Sequence, residues 1–371
     1  MSNRKLVILG IVAIVMVISA GVQMRLSAGK QHPASSGPSF LLQGLDTNKI
    51  ASIVLGTDGD QVILTRTGNR FVVASKDDYP AKTTEINGII AACLDIKTAE
   101  FVTGNPANHA DLGVTETAAA HVVKLFGADS KPITGLLISA PNTDKGGAYL
   151  RLISSSDVYL TIDRPWPSRL SAMDFIDTTL LSIDRDKITS VTIVSPDETY
   201  TLKKEGTGSV ITLENMPAGK KLKDTEYEQV IYAIESLSFD DVKKDSSDAS
   251  DLKFDSTYIC RLENSTVYTF SIAKKDNSTH VKCGAVFTDQ TLVTRPKSED
   301  PDSEEVLKKK EAILLGKDTA RTFTKKHAAW IYRITGLKAD NMTKKLDDLL
   351  EDIAEAEDSK QPEDSGEEDD A

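Results

Sequence analysis

Lys49-Ile50-Ala51-Ser52-Ile53-Val54-Leu55 alternates apolar and polar residues, and 138 positions later Lys187-Ile188-Thr189-Ser190-Val191-Thr192-Ile193 does the same. A period of two turns one side of a segment to a core and the other to water, which is how a half-buried strand reads. The neighbouring segments repeat too. Val62-Ile63-Leu64-Thr65-Arg66 is answered by Tyr200-Thr201-Leu202-Lys203-Lys204, and Arg70 to Ala74 by Val210 to Leu213. Both copies then change period. After Thr84-Glu85 come Ile86, Ile89, Ile90 and Cys93; after Thr225-Glu226 come Tyr227, Val230, Ile231 and Ile234, an offset of 141. The spacing i, i+3, i+4, i+7 gathers each set on one helix face.

The parallel continues through Leu112-Gly113-Val114 and Leu252-Lys253-Phe254. New strands are predicted at His121 to Leu125 and Tyr258 to Leu262, then at Ile133 to Ser139 and Thr266 to Ala273. Asp157 to Ile162 corresponds to Ala329 to Ile334. Each is followed by a short helix candidate, Ser171 to Ile183 and Thr343 to Ile353. The short connections favour hairpins over parallel crossovers. The sequence thus predicts an α+β fold of two tandem repeated units, each a mostly antiparallel sheet with one main helix.

Ahead of the units, Met1 to Lys5 are basic and Leu6 to Met24 are uncharged. Nineteen helical residues rise roughly 28 Å, close to a bilayer's hydrocarbon thickness. A cleavable signal peptide competes with this reading, but Ser19-Ala20-Gly21, the small-residue site it would need, lies inside the apolar run. An uncleaved signal anchor is favoured, with Arg4 and Lys5 in the cytoplasm and the bulk translocated.

The expected organisation is an anchor over 1–24, a flexible stalk over 25–44 and a first unit over 45–163. A connector with a short helix covers 164–186, and the second unit covers 187–336 with an insertion near 284–326. A C-terminal helix over 337–354 and a disordered acidic tail over 355–371 close the chain. The insertion offers a charged helix from Glu304 to Leu315.

The 371 residues carry 44 Lys+Arg against 56 Asp+Glu, a net charge of −12. Residues 351–371 hold eleven acids and one base, so they contribute −10 and residues 1–350 only −2. The acidity belongs to the tail, and nothing supplies the basic footprint of nucleic-acid binding.

Nucleophile elbows, zinc-protease helices, phosphate loops and dinucleotide fingerprints are absent from the sequence. His280-x-x-Cys283 is the one close ligand pair, and two ligands do not make a zinc site. Asp184-Arg185-Asp186-Lys187 reads as a solvated turn. Asp240-Asp241 reads as the close of a helix entering a loop, with no partner to tune one carboxyl against the other. Cys93 reads as a core residue; Cys260 and Cys283 either pair or are buried, with burial favoured. Arg164-Pro165-Trp166-Pro167 joins the units. Arg164 and Trp166 are the candidate contacts for a partner or ligand, against a plainer role as a stiff joint.

The chain also resembles the domain-of-unknown-function 4340 family across roughly residues 45–352. Tyr79-Pro80-Ala81, Asn105-Pro106-Ala107 with Asp111-Leu112-Gly113-Val114, and Gly147-Ala148-Tyr149-Leu150-Arg151 carry the resemblance. So do Trp166 with Asp174-Phe175-Ile176-Asp177, and Trp330-Ile331-Tyr332 with Leu346-Asp347-Asp348-Leu349-Leu350. It implies a bacterial membrane-anchored envelope protein, encoded beside an ABC-type transporter of the gliding-motility-associated kind. The expectation is a non-enzymatic, single-pass inner-membrane protein, anchored through residues 6–24 with its bulk in the periplasm. It would contact ABC transporter subunits and use no cofactor, metal or nucleic acid. The alternatives are a lipid- or glycan-binding module using a cleft between the repeats and, behind it, an envelope hydrolase.

Overall fold

A computed structural model of the chain describes residues 39–353, except for residues 58, 143–145, 163–170, 206–209, 224, 247–250 and 294–302. The first elements are β1 (Ser39–Phe40), β2 (Ser52–Leu55), β3 (Val62–Thr67), β4 (Arg70–Val73), β5 (Tyr79–Pro80) and the helix α1 (Thr83–Leu94). They are followed by β6 (Lys97–Thr103), β7 (His121–Phe126), β8 (Pro132–Pro141), β9 (Ala148–Leu152) and β10 (Val158–Thr161). Then come β11 (Thr179–Ser182), β12 (Ile188–Val194), β13 (Thr199–Lys204), β14 (Ile211–Leu213), β15 (Lys220–Leu222), α2 (Glu226–Ile231) and β16 (Ser236–Lys244). The last are β17 (Ser256–Leu262), β18 (Thr266–Lys275), β19 (Ser278–Phe287), α3 (Glu304–His327), β20 (Trp330–Ile334), α4 (Gly336–Met342) and β21 (Leu350–Asp352).

The strands form one sheet of order β1-β6-β10-β9-β8-β7-β2-β3-β4-β5 and another of order β11-β16-β20-β19-β18-β17-β12-β13-β14. Subtracting ten from each number of the second order reproduces the first as far as β4. Pairing is antiparallel throughout the described strands, as the short connections predict. The fold is sheet-rich α+β, with few helices. The chain forms two compact units, Met1–Gln61 with Asn87–Ser168 and Val62–Ile86 with Arg169–Ala371.

In the first unit, Ile53 and Leu55 of β2, Val123 and Leu125 of β7 and Leu136 and Ile138 of β8 are buried on alternate positions. On the opposite face Val122, Leu137 and Val158 form a smaller cluster with Val114 and Ala119 from the segment that precedes β7. Arg151 fixes that segment by donating from Nε to the Val114 carbonyl at 3.1 Å.

In the second unit the alternation sorts most residues by face, although Val267 and Ala273 on the outer face of β18 are buried too. Val191, Leu202, Cys260, Phe270 and Val281 point inward; Thr192, Thr201, Ser271, His280 and Arg333 take the outward positions. Tyr258 is buried, and its hydroxyl donates to the Val230 carbonyl at 2.8 Å, tying the end of α2 to β17. Helix α3 covers β19 where β20 no longer reaches it, since β20 pairs only with Thr279 to Val281. There Thr324 stands in for a strand: its Oγ1 accepts from the Ala285 N–H and donates to the Ala285 carbonyl, both at 2.8 Å. Gly316 lets the Phe287 ring lie against the helix, in space that a Cβ would occupy.

Several expectations are corrected. The helix candidate 171–183 is a 3-10 turn at Ala172–Phe175 followed by β11, which pairs with β16. The C-terminal helix expected over 337–354 is only α4; a 3-10 turn at Leu346–Leu349 and β21 follow. β21 pairs with β15, placing Leu350 opposite Leu222, and Lys220 meets Asp352 at 3.0 Å and Lys221 meets Glu351 at 3.3 Å across the two strands. The second helix of the repeat shortens to α2, although Ile234 beyond it is buried. Asp240 and Asp241 lie within β16 instead of closing a helix. The region near 284–326 begins inside β19, and the charged helix runs on to His327. Among the described residues the second unit thus has α2, the longer charged helix α3 and the short α4. Among the described residues no helix is long and apolar enough to cross a membrane, and the apolar run 6–24 lies outside them.

Gly146 and Gly147 both have φ near +70°, but only at Gly147 would a Cβ collide with the Thr161 carbonyl. Gly146→Ala should cost about 1 kcal/mol of stability through backbone strain alone. Gly147→Ala should cost about 3 kcal/mol or more by thermal or denaturant unfolding, because strain and collision add.

Candidate functional site

The outward residues of β7 and β8 line an open groove in the first unit. Lys124, Phe126, Ile133, Gly135, Ile153 and Ser154 surround about 380 Å³. The groove exists because Gly135 has no side chain, since a Cβ there would strike the Ile153 δ-methyl. Its lining is mostly hydrocarbon, and Ile133 remains 40% exposed. At the rim Lys124 Nζ pairs with Glu116 Oε2 at 2.6 Å. An apolar lining with one ion pair at its edge suits an apolar side chain or an acyl chain.

The second unit holds a buried aromatic cluster around Tyr79. Its ring lies 4.8 Å from Trp330 and 5.9 Å from Phe239 between centroids, both edge-on. Tyr332 sits beside it, with its hydroxyl 2.6 Å from His327 Nδ1. Burial drives the Tyr79 and Tyr332 hydroxyls up from their ordinary values. Burial, helped by Lys326 and opposed by Asp177, pushes His327 down to about 4. His327 is only 2% exposed, so no substrate reaches it, and the pair is read as a hydrogen-bonded core. Next to the cluster Lys76 Nζ binds Asp241 Oδ1 at 2.7 Å, and Asp77, at φ +53°, accepts the Lys244 N–H at 2.8 Å. Burial alone would raise the Asp241 carboxyl. Hydrogen bonds from Lys76 and the Val242 N–H, with the Lys76 and Arg333 charges, overcome that and hold it below the usual carboxylate range.

The candidates from sequence separate widely. Arg164 and Trp166 lie outside the described residues, as does the tail 355–371. His280 is half-buried on the polar face, while Cys283 points into the core. No group of three metal-ligating side chains occurs among the described residues. Asp184 caps the turn Arg185–Lys187, accepting the Asp186 N–H at 3.1 Å. Asp240 is exposed while Asp241 is engaged by Lys76, so the two do not work as a carboxylate pair. Cys93, Cys260 and Cys283 are free and buried, and burial pushes each thiol up to about 12. Sequence reasoning passed over the groove and the Tyr79 cluster. Ile133 at an outward strand position was the available signal for the groove.

Two antiparallel sheets of common strand order, with an apolar groove on one outer face, place the chain among sheet-rich α+β proteins. The chain belongs to the family described as a domain of unknown function (DUF4340), whose profile matches residues 72–257, 186 of the 371. That span is narrower than the 45–352 of the sequence resemblance and leaves Trp330-Ile331-Tyr332 and Leu346–Leu350 outside. No curated protein and no solved structure matches the chain.

The pKa of His327 sets a pH dependence. Its folded value is about 4 and the unfolded value about 6.5, so between these pH values the unfolded chain holds the extra proton. Stability should be full above pH 6.5 and fall by about 3 kcal/mol as pH drops to 4. Denaturant unfolding at pH 7 and pH 5 should show a shallower loss in His327→Gln than in the parent chain.

Proposed function

We propose that this chain is a non-enzymatic accessory protein of the bacterial inner membrane, held by residues 6–24 with its body in the periplasm. It acts by contact with subunits of an ABC-type transporter. The observation that carries the reading is the uncharged run from Leu6 to Met24 behind a basic start, ahead of a large sheet-rich body. The family resemblance supplies the transporter. The shared strand order of the two sheets supports a second part of the reading, that the body arose by internal duplication.

Contact needs an apolar surface left open in the folded chain, and the groove at Phe126, Ile133 and Ile153 supplies one. Ile133→Asp places a charge in that groove at a position already partly in water. Purification in mild detergent should recover transporter subunits with the parent chain and lose most of them with Ile133→Asp, at unchanged thermal stability. Recovery of the parent chain alone would sink the reading.

A second reading, capture of a lipid, is favoured by the same groove's hydrocarbon lining with Lys124 at the rim. Native mass spectrometry after the same purification separates the two, since a lipid adduct lost in Ile133→Asp would favour capture.

A further inference from the structure

Register across three neighbouring strands of the second unit gathers cationic groups that are distant in sequence. Arg333 on β20 stands opposite Asp241 on β16 and opposite His280 on β19. Lys243 follows two positions after Asp241, on the same face. The β18–β19 hairpin adds Lys275, Asp276 and Ser278 through a turn whose Asp276 and Asn277 have φ of 49° and 59°. Asp251 and Leu252 complete a cavity of about 300 Å³. It adjoins a polar groove of about 440 Å³ that shares Asp251 and Lys275 and carries both signs of charge, with Lys253, Lys274, Lys344 and Lys345 beside Asp197, Glu198 and Asp255.

The charges within the cavity are incompletely matched. Lys275 pairs with Asp251 at 3.3 Å. Arg333 reaches Asp241 only at 3.8 Å, and that carboxylate has a nearer partner in Lys76 at 2.7 Å. Among the described residues Lys243 makes no ion pair and the His280 ring no hydrogen bond. Three cations thus face two lining carboxylates, Asp251 and Asp276, and the third nearby carboxylate, Asp241, is shared between Arg333 and Lys76. Like charges held together in a half-buried site repel unless an anion joins them.

We propose that this cavity binds a phosphate group, with Lys243 and Arg333 on its oxygens and His280 donating once protonated. The adjoining groove holds the remainder of the phosphorylated molecule. A guanidinium fork beside an ammonium fits tetrahedral phosphate oxygens, and a lining that gains a positive charge at His280 suits a dianion. Burial first, then Lys243, Arg333 and Lys275, lower the His280 pKa in the empty site, against Asp241. Asp251 and Asp276 are the remaining charged groups that line the cavity. A bound anion would reverse the balance and raise that pKa. The inference goes beyond the membrane-accessory reading and stands whether or not that reading fails.

Calorimetry on the full chain in detergent, with inorganic phosphate and glycerol 3-phosphate as probes, tests it. Lys243→Ala should weaken both by about tenfold or more, the loss of one charge-assisted contact. Lys131→Ala, at an exposed lysine of the first unit, should change neither. With histidine labelled for NMR, the His280 titration should move to higher pH under saturating phosphate. Equal binding of glycerophosphocholine assigns the phosphate to a diester headgroup; monoester binding alone assigns it to a soluble phosphate ester. No binding at millimolar phosphate, equal binding by Lys243→Ala, or an unmoved His280 titration would overturn the proposal.

Discussion

Each sheet is held in one piece by a pairing between strands far apart in the chain. β12 joins β17 across the whole segment that carries β13 to β16, with Val191 opposite Cys260 and Ile193 opposite Tyr258. β2 joins β7 in the same way, with Ile53 opposite Leu125. Next to each joint lie local hairpins that form cheaply, while β6 against β10 and β16 against β20 add further distant pairings at the far side of each sheet. The joint closes a loop of some 70 residues, at an entropic cost that grows only slowly with length. Burial of Ile53, Val191, Tyr258 and Cys260 offsets it. Without the joint, each sheet would part into small meanders with open edges, which are marginal in water.

That dependence explains which parts could be read from sequence. β2, β3 and β13 alternate because each has one face in the core and one in water, and β12, β17 and β7 follow the same pattern over most of their length. The edges could not be read. Leu180-Leu181 and Leu349-Leu350 are adjacent apolar pairs that fit a helix or a strand, and only the partner strands β16 and β15 decide between them. The full length of α3 was hidden for the opposite reason. Its buried residues Gly316, Ala320, Phe323 and His327 have helical spacing but sit among Lys, Arg and Thr. Asp240-Asp241 misled because the register shift between Phe239 and Asp241, at Asp240 itself, breaks the alternation.

Site residues were less legible than the fold. Lys243, His280 and Arg333 lie tens of residues apart, and no spacing rule links them; the register of β16, β20 and β19 does. Gly135 opens its groove only because Ile153 arrives beside it from the far end of β9. Tyr79 was legible as a residue of the family resemblance, but its partners Tyr332 and His327 come from more than 200 residues later. Surface chemistry in this fold is assembled by strand pairing, and short motifs cannot report it. The family match names a domain of unknown function and assigns no site, so these outward features are what the geometry adds.

The central functional claim is that residues 6–24 hold the body on the far side of a membrane. The three native cysteines give a silent background, being buried with thiols pushed up to about 12. Leu292 is 82% exposed, so Leu292→Cys creates one reactive thiol. Treatment of intact spheroplasts with a small membrane-impermeant maleimide should label that variant fully. Labelling only after detergent lysis would place the body in the cytoplasm and contradict the account.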